Sequence, residues 1–149
     1  GAITSAALPA GSVLQVVQTV KSDTFSSGSQ GAPVDITGFS ATITPSSTSS
    51  KILVLVSAVL RSTSTGSGNN FLTFDILRDS TELLDGYAIE GDNGDSSDSR
   101  YSVVFNYLDS PNTTSAVTYK GRLQAQFCDV AYMNSNTDPS TIILMEIAG

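Results

Sequence analysis

Half of the acidic residues of this chain are concentrated in one short stretch. Seven of the fourteen Asp and Glu fall between Asp79 and Asp98, and Glu90-Gly-Asp-Asn-Gly-Asp-Ser-Ser-Asp98 is the densest part. Carboxylate and amide oxygens on a glycine-rich loop are what a hard cation binds, which makes Asp92, Asn93, Asp95 and Asp98 the residues for Ca²⁺. The EF-hand spacing, with Gly sixth and Glu twelfth, is absent. The same residue types also form ordinary solvated turns, and that is the reading to set against a metal. Asp75, Asp79, Glu82, Asp85 and Glu90 offer carboxylate pairs of the kind glycoside cleavage uses. With no Trp and few aromatics outside apparent core positions, a sugar-stacking cleft beside them is poorly provided.

Other chemistry is scarcer still. Histidine is absent, which removes the commonest general base and the commonest metal ligand. The many serines include no Gly-x-Ser-x-Gly elbow, and Gly28-Ser-Gln-Gly31 and Gly66-Ser-Gly68 lack the Lys-Ser/Thr and helix of a phosphate loop. The single cysteine, Cys128, permits no intrachain disulfide and reads as a small buried hydrophobe. A net charge of −7 with seven scattered Lys and Arg disfavours nucleic acid, which needs clustered cations. No apolar run reaches the ~18 residues of a membrane-spanning helix, so no membrane insertion is expected. The expectation is a binding or structural protein, not an enzyme, with no cofactor.

The elements that would position these loops are strands. The 149 residues suit one domain, with Gly1–Ala10 a linker and residues 11–149 a single folded unit. The start at Gly1, without a basic n-region, reads as a trimmed terminus and not as a signal peptide. Wherever a period can be read it is two. Strands are expected over Ser12–Val20 (Leu14 and Val16 inward), Phe39–Ile43, Lys51–Arg61, Leu72–Leu77, Leu83–Ile89, Tyr101–Tyr107, Thr118–Phe127, Val130–Met133 and Thr141–Ile147. About nine strands with turn signals between them point to an all-β fold, an antiparallel β-sandwich of jelly-roll-like topology; an immunoglobulin-like order is the alternative.

Two of these strands are apolar on both faces. In Lys51–Leu60, Ile52, Val54 and Val56 point one way and Leu53, Leu55 and Val59 the other; in Ile142–Ile147 only Glu146 interrupts the pattern. An antiparallel strand normally has one wet face, so Leu53, Leu55, Ile143 and Met145 are expected at a subunit interface, lining a threefold axis. A thick single-chain core is the alternative. Loops carried by such a scaffold are where binding concentrates, and Asn69, Asn70, Asp92, Asn93, Asp95, Asn134 and Asn136 are the receptor-contact candidates.

Four segments, Leu8-Pro-Ala-Gly-Ser-Val-Leu-Gln-Val-Val-Gln18, Ile43-Thr-Pro-Ser-Ser-Thr-Ser-Ser-Lys-Ile-Leu-Val-Leu-Val56, Tyr107-Leu-Asp-Ser-Pro111 and Ile142-Ile-Leu-Met-Glu-Ile147, resemble in order a C-terminal module of tail-fibre and other virion structural proteins of tailed bacteriophages, marine and cyanobacterial ones above all. The resemblance runs from about Leu8 to the last residue. It implies a virion protein, a homotrimer, joined to other virion proteins through its N-terminus. As a distal tail-fibre domain it would attach to a bacterial surface receptor, a glycan or a protein. As a capsid decoration, head-fibre or baseplate protein it would bind no receptor. A glycan depolymerase is the enzymatic alternative.

Overall fold

The computed structural model describes residues 8–65, 70–90, 98–136 and 138–149. Its strands are β1 (Val13–Lys21), β2 (Phe25–Ser27), β3 (Val34–Ile43), β4 (Lys51–Thr63), β5 (Phe71–Arg78), β6 (Thr81–Glu90), β7 (Asp98–Asp109), β8 (Val117–Gln124), β9 (Val130–Met133) and β10 (Ser140–Ile147). All pairings are antiparallel. One sheet runs β1-β10-β4-β9-β2, with β7 on β4; the other runs β3-β8-β5-β6.

The first sheet is simpler than that order suggests. β7 pairs with nearly the whole length of β4, while β10 and then β9 follow each other along the opposite side of β4. β1 and β2 follow β10 and β9 in the same way. With each broken pair counted as one strand, eight strands remain, in the orders 1-8-3-6 and 2-7-4-5. Only the β5–β6 hairpin stays within a sheet; every other connection crosses between them. That is jelly-roll topology, and the immunoglobulin-like alternative falls away.

The core lies between the sheets. Ile52, Val54, Leu60, Ile142 and Leu144 from the first meet Phe39, Phe74, Ile76, Tyr119 and Leu123 from the second, all fully buried. Close packing explains Gly121 in β8, where an added Cβ would lie 2.7 Å from the Phe39 ring.

Several sequence expectations need correction. β1 turns Gln15, Val17, Thr19 and Lys21 inward, not Val16, because a bulge between Val13 and Gln15 shifts its alternation. The inward polar groups are satisfied: Gln15 Nε2 donates to Glu146 Oε2 at 2.6 Å and Thr19 Oγ1 to Ser40 O at 2.8 Å. β2 falls between the first two expected strands, Ser12–Val20 and Phe39–Ile43, β3 begins at Val34 and β4 continues to Thr63.

Candidate functional site

Two surfaces of the sandwich are apolar where water would reach them. The larger is the outer face of the first sheet, and it follows from the two-sided strands. Val16 of β1 lies opposite Met145 of β10, Met145 opposite Leu53 of β4, and Leu53 opposite Leu108 of β7, an unbroken apolar row across four strands. Ile143 opposite Leu55 continues it in the next row. Val20 and Val104 flank a third row, and Val13 opposite Ile147, with Lys51 beyond, forms a separate row on the other side of the first. Leu53, Leu55, Ile143 and Met145 are half-buried by their neighbours, whereas Val16 is 56% and Val104 69% exposed. At one end the face becomes polar: Arg61 forms a forked pair with Asp98 at 2.5 and 2.6 Å and lies over the Tyr132 ring.

The outer face of the second sheet is the opposite case. Lys120 pairs with Asp35 at 2.7 Å, Arg122 with Asp75 at 2.9 Å and Glu82 at 2.8 Å, and the Thr42 and Thr118 hydroxyls meet at 2.8 Å. Its Lys120 and Arg122 are matched by carboxylates on the surface, and such a face is at ease in water. The asymmetry between the two faces is the main chemical feature of the molecule.

The second apolar surface is one side of the sandwich. β1 packs on β3 and closes the far side, but β6 and β7, the outermost strands on the near side, have no comparable packing. Tyr87 stands opposite core residue Phe74, and Tyr107 opposite core residue Val54, so both sit on inner faces. Yet Tyr87 is 51% and Tyr107 44% exposed. Phe105 stacks on Tyr107 with ring centroids 6.0 Å apart, and Phe105 and Tyr101 reach the core margin. Sequence alternation along β7 marks these aromatics as core; that β7 and β6 are edge strands is a matter of topology, which no local pattern announces.

Of the expected receptor contacts, Asn69, Asp92, Asn93 and Asp95 lie outside the described residues. Asn70 and Asn134 are buried and are corrected: neither can present its amide to a receptor. Asn134 instead clamps the level at which β1/β2 and β9/β10 both break. Its Nδ2 donates to Lys21 O at 2.6 Å, Ser140 Oγ donates to its Oδ1 at 2.6 Å, and Thr24 Oγ1 donates to its carbonyl at 2.6 Å. Its φ of 56° is one asparagine tolerates. Asn136 is exposed and meets Arg100, its amide oxygen accepting from Nη1 at 2.5 Å.

Several of the acidic residues are committed in the same way. Asp98, the described member of the Ca²⁺ set, gives both oxygens to Arg61, whose hydrogen bonds hold its carboxyl below the ordinary carboxylate value. Among the described residues no three His, Cys, Asp or Glu gather as a metal site. Of the carboxylates considered for glycoside cleavage, Asp75 accepts from Gly86 N and Arg122, Asp79 from Thr118 N, and Glu82 from Arg122. Buried Asp109 takes two bonds from Arg78 at 2.7 and 2.8 Å and one from the Tyr119 hydroxyl at 2.7 Å, tying the sheets together. Burial, and then the bond to Asp109, push the Tyr119 phenol far up.

A polar recess of about 350 Å³ opens at one end of the sandwich, beside Leu14, Ser46, Ser47, Ser49 and Ser50. Beneath these serines, Glu146 is buried and accepts from Ser46 N and Oγ at 2.7 Å. Burial alone would raise its carboxyl; bonds from Ser46, Ser50 and Gln15 outweigh that and lower it. Cys128 is buried too, its thiol pushed up to about 11 by burial and then by Asp129.

No protein-family model and no curated protein matches the chain. Among solved structures it is similar to infectious bursal disease virus VP2 in its subviral particle, at 20% identity and a TM-score of 0.43, over 91% of this chain and 37% of VP2. It is similar as well to the T=1 particle derived from that virus, at 20% identity and a TM-score of 0.45, over 91% of this chain and 36% of that one. A third likeness is to the CBM22-1 xylan-binding domain of Paenibacillus barcinonensis Xyn10C, at 13% identity and a TM-score of 0.33, over 95% of this chain and 99% of that one. The chain thus spans little more than a third of the viral proteins it resembles. The strand order, not these likenesses, defines the architecture.

Proposed function

We propose that this chain is a structural domain of a tailed-phage virion, a self-assembling jelly roll that acts as a homotrimer and attaches the particle to a bacterial surface receptor. The observation that carries the reading is the apolar outer face of the first sheet, in a molecule whose other face pairs Lys120 and Arg122 with carboxylates. Val13, Val16, Val20, Val104 and Leu108 of that face are each about half exposed or more, and large exposed apolar patches mark interaction sites. The four ordered segments that resemble the phage module supply the virion setting, with the N-terminal segment as the link to other virion proteins. The role is binding, not catalysis.

Burial of Asn70 and Asn134 favours a second reading, a capsid decoration, head-fibre or baseplate protein that assembles in the same way and grips no receptor. One experiment separates the two. Fluorescently labelled protein is offered to intact host cells with and without extracted surface glycan. Labelling that the glycan competes away supports attachment to a glycan; labelling that it leaves intact supports a protein receptor. Failure to label any susceptible strain leaves the purely structural role.

A further inference from the structure

We infer that the two apolar surfaces are halves of one contact: the aromatic side of one copy, at β6 and β7, packs on the outer face of the first sheet of the next. This rests on the reading that the chain assembles with itself, and adds which surfaces meet. The surfaces differ in kind. One is broad and aliphatic, with Val16, Leu53, Met145 and Leu108 in a row; the other is narrow and aromatic, with Tyr87, Phe105 and Tyr107. Face-to-face pairing through a twofold axis would cover the aliphatic surface and leave Tyr87 and Tyr107 in water. Edge-to-face contact covers both. Because it joins unlike surfaces, it repeats from copy to copy and closes into a ring when the rotation fits.

The chemistry of the seam agrees. Half-exposed tyrosines are the anchors that interfaces favour, and Met145, in the middle of the aliphatic row, is the adaptable side chain that takes aromatic rings well. The apolar rows from Val16 to Leu108 and from Ile143 to Leu55 hold no charge that would be buried unpaired. At the margins, Lys51 on the face and Asp85 on β6 are exposed and have no ion pair among the described residues. One side of the seam therefore has a cation to offer and the other a carboxylate.

Val16→Asp and Tyr107→Asp test the contact, both at exposed positions where a charge costs the single subunit little. Each variant alone is expected to lose the oligomer, with self-association at least tenfold weaker. An equimolar mixture is expected to form a 1:1 complex, because one intact face still meets one intact side, and a folding defect in either variant cannot produce that result. Independently, Val16→Cys mixed with Tyr87→Cys is expected to give a disulfide-linked pair that neither gives alone, while buried Cys128 stays silent. A Tyr107→Asp protein that remains oligomeric, or Val16→Cys that cross-links to itself, overturns the edge-to-face contact and leaves self-assembly standing. Wild-type protein that is monomeric at tens of micromolar overturns both.

Discussion

Asn134 shows how one residue type in a loop can carry opposite meanings. Its amide is a good ligand for a hydroxylated receptor, yet here it joins Lys21, Thr24 and Ser140 at a shared break in two neighbouring strands. Replacing it with Ala strands buried partners, and Asn134→Ala is expected to lose ~2–3 kcal/mol of stability, read as a lower urea midpoint. Glu146 carries the acid sensitivity. A carboxyl lowered by folding contributes stability above its unfolded value and loses it as pH falls through the folded one. Stability should therefore decline as pH drops below about 4.5, the ordinary value for this group, and the decline should be shallower in Glu146→Gln when unfolding is followed across pH 2–6. The interior roles of Asn134 and Glu146 depend on partners far away in sequence, so neither was legible from its neighbours.

At the scale of elements, the period of two locates most strands, and it fails where an element's surroundings are unusual. Pattern alone places the inward face of β1 one residue out, because a bulge resets its alternation and because its outer face is apolar as well, so Val16 looks as inward as Val17. β2 is too short to rise above its serine-rich setting. β8 kept a clean alternation, and its one glycine is explained by the Phe39 ring pressed against it. Gly121→Ala drives a methyl group into that ring and is expected to cost ~1–3 kcal/mol. Thermal unfolding measures the loss, and a variant as stable as wild type would mean that Phe39 moves aside freely.

At the scale of the whole molecule, the two-sided strands announced the outer face in advance: Leu53, Leu55, Ile143 and Met145 share one surface. The aromatic side was not legible, since it depends on which strands end the sheets. Light scattering at micromolar concentration is expected to give three chain masses. Because an apolar contact is not screened by salt, 1 M NaCl should leave the trimer intact, and dissociation by salt would point to charge pairs instead. The central place of β10 has a further consequence, in the order of events during synthesis. All four strands of the second sheet are complete once Gln124 is made, but β1 and β4 have no ladder between them until Ser140–Ile147 arrives. Pairing so distant in sequence is slow. The same late segment supplies Ile143 and Met145 to the outer face, so under the proposed assembly a chain that has not yet reached β10 lacks the surface by which it would join.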